Sequence, residues 1–242
     1  MQRRDFLRVV GVGAAVITVQ PSLIRQQLFA ADGSLFKTYE KVQLVGADGA
    51  PIKASDLKKE VAYVFRYPHV STPCFLLDLP EPAEAKVTLK AEDGTEYEWE
   101  GAVGKEKSIV AYTAICPHQM THPNKNDSFI SYVRKDQTTM AYDKGGVIVC
   151  GSHLSSFDPR TGAKNLRGPA EQPLASIVLE HAPDDTLWAV AVLGGEKFHD
   201  YFKSFKSEFK EEFGSWRKAK KLVKISAPTV TLSEYSKEVV QY

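Results

Sequence analysis

The chain has 242 residues, 43% of them hydrophobic and 25% charged, with a formal net charge of +1. That is enough apolar material for an ordinary folded domain with one sizeable core. The near-neutral balance, with no basic patch interleaved with aromatics, gives no case for nucleic acid as a partner, and no internal repeat or low-complexity tract is evident.

In chain order, Met1-Gln2-Arg3-Arg4-Asp5-Phe6-Leu7-Arg8 precedes an apolar run over 9–19. This opening resembles a twin-arginine export signal, with Arg3 and Arg4 as its pair. Folded, cofactor-loaded proteins are the usual cargo of that route, so the resemblance implies assembly in the cytoplasm and use outside it. The run is shorter than the about 20 residues that cross a bilayer. Extended over 6–24 it reaches that length, with Arg8 at one end, where a charge can snorkel, and Gln20-Pro21 at the other. Leu28-Phe29-Ala30-Ala31 lacks a small residue at the −3 place of either alanine, which favours a retained anchor over a cleaved leader. The expected organisation is a signal or anchor with an apolar helix over 1–31, a β domain over 32–195, and a C-terminal segment over 196–242. The Gly11-x-Gly13 pair lacks a third glycine and a preceding strand, so it is no dinucleotide site.

Residues 25–37 read as a linker with a turn at Asp32-Gly33. Short runs rich in β-branched and aromatic residues follow at 61–67, 75–79, 87–90, 96–100, 109–113, 147–150, 177–180 and 187–192. Asp48-Gly49, Asp93-Gly94, Gly145-Gly146 and Gly194-Gly195 punctuate them. Many short strands separated by turn residues predict an all-β sandwich or barrel.

Two boxes stand at predicted strand ends: Cys116-Pro117-His118 and Cys150-Gly151-Ser152-His153. Cysteine and histidine are soft-to-borderline ligands, and a set of two and two could hold zinc or an iron–sulfur cluster. A zinc finger groups its cysteines in one knuckle and its histidines in the next, whereas each box here supplies one of each. The only other cysteine, Cys74, lies in the apolar run Pro73-Cys74-Phe75-Leu76-Leu77 and reads as a buried core thiol.

The two boxes resemble the Rieske family. So do Ser155, Phe157-Asp158-Pro159-Arg160-Thr161-Gly162 and Leu166-Arg167-Gly168-Pro169-Ala170, which read like that family's cluster-covering segment. The resemblance spans roughly residues 60–195. It implies an antiparallel β-sandwich or barrel with a cluster-binding subdomain at about 112–174, holding one [2Fe–2S] cluster. Cys116 and Cys150 would bind the permanently ferric inner iron, and His118 and His153 the outer iron that accepts an electron. Respiratory members often join their cluster loops by a disulfide; at the matching places this chain has Thr121 and Ser152, so packing and hydrogen bonds must hold the loops. Ser155 keeps the place of a hydroxyl that donates to a bridging sulfide, whereas Phe157 replaces a tyrosine that donates to a cysteine sulfur. Fewer donors to sulfur imply a comparatively low potential. Gly168 and Pro169 should cover the cluster. His122 reads as an exposed loop histidine, and His69, His181 and His199 show no ligand spacing.

Phe198, Phe202, Phe205, Phe209, Phe213 and Trp216 recur every three or four residues, which predicts an amphipathic helix ending near Gly214 and the lysines up to Lys221. That helix could pack on its own domain, on a partner subunit or on a membrane, and residues 222–242 look extended. The resemblance implies one-electron transfer as a subunit of an oxidoreductase complex on the periplasmic side of a bacterial inner membrane. One class is the iron–sulfur subunit of a cytochrome bc-type complex, with quinol and a cytochrome as partners. Another is the small subunit of a periplasmic arsenite-oxidase-type molybdenum enzyme, which Tyr67-Pro68, Ser71-x-Pro73-Cys74 and Gln172-Pro173-Leu174 resemble. A ring-hydroxylase ferredoxin fits the boxes but not the leader, and a structural zinc module needs no redox partner.

Overall fold

Sixteen strands and a few short helices make up the computed structural model, which describes residues 35–241. The export and anchor expectations over 1–31, with Arg3 and Arg4, lie outside those residues. Among the described residues no helix is long and apolar enough to cross a membrane.

The main sheet has eight strands. They are β1 (Phe36–Val45), β2 (Tyr63–Arg66), β3 (Pro73–Asp78), β6 (Ile109–Thr113), β12 (Ser176–His181), β13 (Leu187–Leu193), β14 (Ser226–Pro228) and β15 (Val230–Thr231). Their order is β14-β1-β13-β12-β6-β3-β2-β15. The two edge strands are consecutive in the chain, with only Thr229 between them, so the sheet curls into a nearly closed barrel. β1 begins inside the expected linker: Phe36 and Lys37 already pair with Leu193 and Val192.

The centre of this sheet is buried on both faces, and side chains that alternate by residue feed two cores. Cys74, Leu76, Ile109 and Ala111 face the first core; Phe75, Leu77, Val110 and Tyr112 face the second. The hairpin of β4 (Val87–Lys90) and β5 (Glu96–Trp99) covers the second core with Leu89, Tyr97 and Trp99.

A second sheet, in the order β11-β10-β9-β8, is antiparallel throughout. It comprises β8 (Ile130–Val133), β9 (Val147–Cys150), β10 (Ser155–Asp158) and β11 (Lys164–Arg167). The short strands β7 (Asp127–Ser128) and β16 (Glu238–Val239) pair beside it. The Tyr112 hydroxyl donates to the Pro159 carbonyl at 2.7 Å, tying the second sheet to the barrel.

The expected single C-terminal helix is instead three short ones: α1 (Phe198–Ser204), α2 (Lys206–Phe213) and α3 (Trp216–Ala219). Phe205, with φ −110° and ψ 33°, breaks the first from the second, and Gly214 ends the second in the left-handed conformation at φ 76°. Helices this short have little intrinsic stability. Phe198, Tyr201, Phe202 and Phe209 are buried in the first core, at about 2 kcal/mol per ring, and that burial holds them. The stripe therefore packs on its own domain, with only Trp216 of the six aromatics exposed. After α3 the chain supplies β14 and β15 to the barrel, forms α4 (Leu232–Tyr235), and ends as β16 against β7. The extended tail wraps its own domain.

Candidate metal centre

The two boxes come from different sheets. β6 delivers the first: just past Thr113 the chain reaches Cys116, and a tight loop closes with Met120 N–H donating to Cys116 O at 2.8 Å and Cys116 N–H to Thr121 O at 2.9 Å. Met120 takes φ 57°, a left-handed conformation uncommon outside glycine. The second box caps the β9–β10 hairpin, where Cys150 and Ser155 are cross-strand partners and Gly151–Leu154 turns between them. Leu154 is also left-handed, at φ 60°. Strain in both loops is what a site imposing its own geometry shows.

At the join of the sheets the cysteines meet each other and the histidines meet each other. Cys116 and Cys150 are both buried, side by side in the second core. The rings of His118 and His153 stand edge to face with centroids 4.8 Å apart. His118 is half-buried and His153 exposed, so the imidazole end of the centre faces solvent while the thiol end faces the core.

The neighbouring Cys116 thiol holds Cys150 below the ordinary thiol range, with burial opposing. Cys150 and burial together push Cys116 up. Both thiols must give up their protons to bind metal.

A group bound here must use two inner sulfurs and two outer ring nitrogens. His118 Nδ1 is buried without a hydrogen-bond partner, as a lone pair kept for a ligand bond would be. The separate thiol and imidazole pairs suit two irons better than one zinc. The donor set fits a mixed Cys/His [2Fe–2S] cluster.

The surrounding residues hold this arrangement. Ser155 Oγ accepts from Ala170 N–H at 3.3 Å, tying the second hairpin to the covering segment, and its hydroxyl lies beside Cys116. Gly168, at φ 91°, lets that segment lie on the second loop: a Cβ there would stand 2.5 Å from Leu154 O and 2.5 Å from Ser155 Cα. Pro169 is exposed beside it. Phe157 is fully buried in the second core. Thr121, marked in the sequence only as the place of a missing cysteine, closes the first loop through its carbonyl and has its hydroxyl beside Cys150. No disulfide forms, and Cys74 is the buried core thiol expected, its Sγ donating to Tyr67 O at 3.0 Å and burial raising its pKa.

The expectation for His122 is corrected. It is only 7% exposed and bonds the Met120 carbonyl and Glu208. The isolated sequence gives no sign that α2 reaches the loop. His69 is enclosed by Tyr39, Phe198 and Phe202, His181 bonds Asp185 and His199 lies near Glu196, and none of the three approaches the boxes.

Residues 81–178, which contain both boxes and the covering segment, match the family model described as the Rieske [2Fe-2S] domain. The chain carries a Rieske-type electron-transfer domain, and its cofactor is a [2Fe–2S] cluster. Solved structures similar to it include the soluble domain of Rieske protein II from Sulfolobus acidocaldarius, at 21% identity and TM-score 0.44, covering 65% of this chain and 81% of that one. Another is the ferredoxin of carbazole 1,9a-dioxygenase from Nocardioides aromaticivorans, at 14% identity and TM-score 0.34, covering 65% of this chain and 100% of that one.

Proposed function

We propose that the chain is the iron–sulfur subunit of a membrane-linked, quinol-oxidising complex of the cytochrome bc type, at the periplasmic face of the inner membrane. The observation that carries this reading is the orientation of the site: both imidazoles lie at the surface end and both thiols at the core end. Cys116 and Cys150 would hold one iron and His118 and His153 the other; when bound, the cluster supplies a one-electron acceptor.

The protein's own residues do the rest. His153, exposed on a hairpin tip, presents a ring nitrogen that can accept a hydrogen bond from a donor hydroxyl. The half-buried His118 stands against it and fixes its edge. Ser155 and Thr121 place hydroxyls beside the two sulfurs, and second-core packing surrounds them. The sequence supports the membrane side of the reading through Arg3-Arg4 and the apolar run after them.

The test is purification of the native complex from membranes. Co-purifying b- and c-type haem with quinol-dependent reduction of the protein is the expected result, whereas a co-purifying molybdenum subunit would transfer the chain to the arsenite-oxidase-type class. Iron and acid-labile sulfide counts, with the low average g value of a reduced mixed-ligand cluster, test the site itself. Stoichiometric zinc without that signal would sink it.

A further inference from the structure

His122 is enclosed on every side that matters to a ring. Tyr201 and Phe205 meet it edge-on, with centroids 4.7 and 4.6 Å away. Nδ1 lies 2.8 Å from the Met120 carbonyl and Nε2 lies 2.8 Å from Glu208 Oε1. A carbonyl only accepts, so Nδ1 carries the proton of that bond, and Nε2 shares a second hydrogen bond with the Glu208 carboxyl group. A buried ring bonded at both nitrogens is costly to leave unpaired on one side.

Its bonds lead to the ligand loop. Met120 is the left-handed residue of that loop, and its N–H donates to Cys116 O. Thr121 accepts from Cys116 N–H through its carbonyl. Glu208, His122, Met120 and Thr121 thus form one connected path from α2 to the backbone of Cys116. The far end of the path is itself fixed. Arg66 donates to Glu212 at 2.5 Å and to Tyr235 Oη at 3.0 Å, and it stacks on Phe213. Beyond it, Ser236 Oγ donates to Asn124 O at 2.6 Å, and Glu238 and Val239 pair with Asp127 and Ser128.

We propose that His122 and Glu208 are positioning residues for the cluster: their hydrogen bond locks the first ligand loop onto α2 and, through Met120 and Thr121, fixes the backbone of Cys116. The C-terminal segment thereby tunes the centre without supplying a ligand. This rests on the ligand assignment above.

The full-length chain carries the test, with Glu208→Gln, Glu208→Asp, His122→Phe and the exposed control Glu211→Gln. In cluster-free protein, amide exchange over 116–122 should quicken about tenfold in Glu208→Gln and His122→Phe, the effect of losing one hydrogen bond. Glu208→Asp should recover part of the protection, and the control should not differ from the parent. In loaded protein the same two variants should shift the reduced-state g values and lower the potential. If His122→Phe fails to fold, Glu208→Gln decides. Faster exchange with unchanged g values and potential would overturn the proposal by reducing the pair to a fold contact. Unchanged exchange would overturn it directly. Failure of the ligand assignment shows separately, as a mixed-ligand signal that survives in His118→Ala.

Discussion

The two ligand loops are braced from different distances along the chain. Residues 116–122 close on themselves through two backbone hydrogen bonds, and His122 ties them to Glu208 on α2, some ninety positions later. Residues 150–154 are the tip of the β9–β10 hairpin, and the segment that presses on them, Gly168–Ala170, follows just after β10 and β11. A two-loop centre needs rigidity from both sides but not by the same means. Where a covalent tie between the loops is missing, one loop can rest on neighbouring β strands and the other on a contact from far along the chain.

The largest effect should ignore this asymmetry. Cys116→Ser and Cys150→Ser should each abolish the cluster, measured as loss of iron, sulfide and visible absorption, because either change leaves an iron without one of its two sulfurs. A Cys116→Ser protein that loads normally while Cys150→Ser does not would break the symmetric ligand assignment.

Next come changes that separate the loops. Gly168→Val forces a Cβ into Leu154 O and Ser155 Cα, and should cost about 3 kcal/mol, lowering Tm by roughly 10 °C. Exchange should rise over 150–156 and stay unchanged over 116–122. Arg66→Ala removes the anchor of Glu212 and Tyr235 and should cost about 2 kcal/mol, with the opposite exchange pattern. Equal loosening of both loops in either variant would erase the comparison.

Smaller effects sharpen it. Ser155 and Thr121 place hydroxyls beside different sulfurs, one from each side of the centre. Ser155→Ala and Thr121→Val should each lower the potential by on the order of 40 mV, the equivalent of about 1 kcal/mol for one hydrogen bond. A redox titration showing a shift in only one of them would mean that only one loop tunes the centre.

The smallest expected effect is a pH dependence on the side that backs the first loop. Burial, with Lys37, His199 and Lys220 adding, holds His69 down to about 4 from the ordinary 6.5. Its folded value is depressed, so the unfolded chain binds the proton more readily. The stability it contributes is complete above about pH 6.5 and is lost as pH falls towards 4. Thermal melts should show that slope, by under about 1 kcal/mol once solvent screening is allowed for, and His69→Phe should flatten it.

Much of the site was legible because ligand chemistry is local: one cysteine and one histidine within three or four residues must share a loop wherever the fold puts it. Seven strands of the barrel and the β4–β5 hairpin were legible too, with β9 of the second sheet, since β3 and β6 carry apolar residues for both faces. β10 and β11 were missed because Ser155-Ser156 and Lys164-Asn165 show little apolar pattern; they are strands through pairing alone. The aromatic stripe gave a helix of correct period, but nothing local announced the break at Phe205, whose ring turns to meet His122.

The donor set, the all-β pattern and the missing inter-loop disulfide follow from residue identity and short-range spacing. Folding alone buries His122, closes the first loop through the Thr121 carbonyl and seats α2 against that loop. These arrangements depend on contacts between residues far apart in the chain, and an imidazole carries no mark of its partner until folding brings a carboxyl group within 2.8 Å.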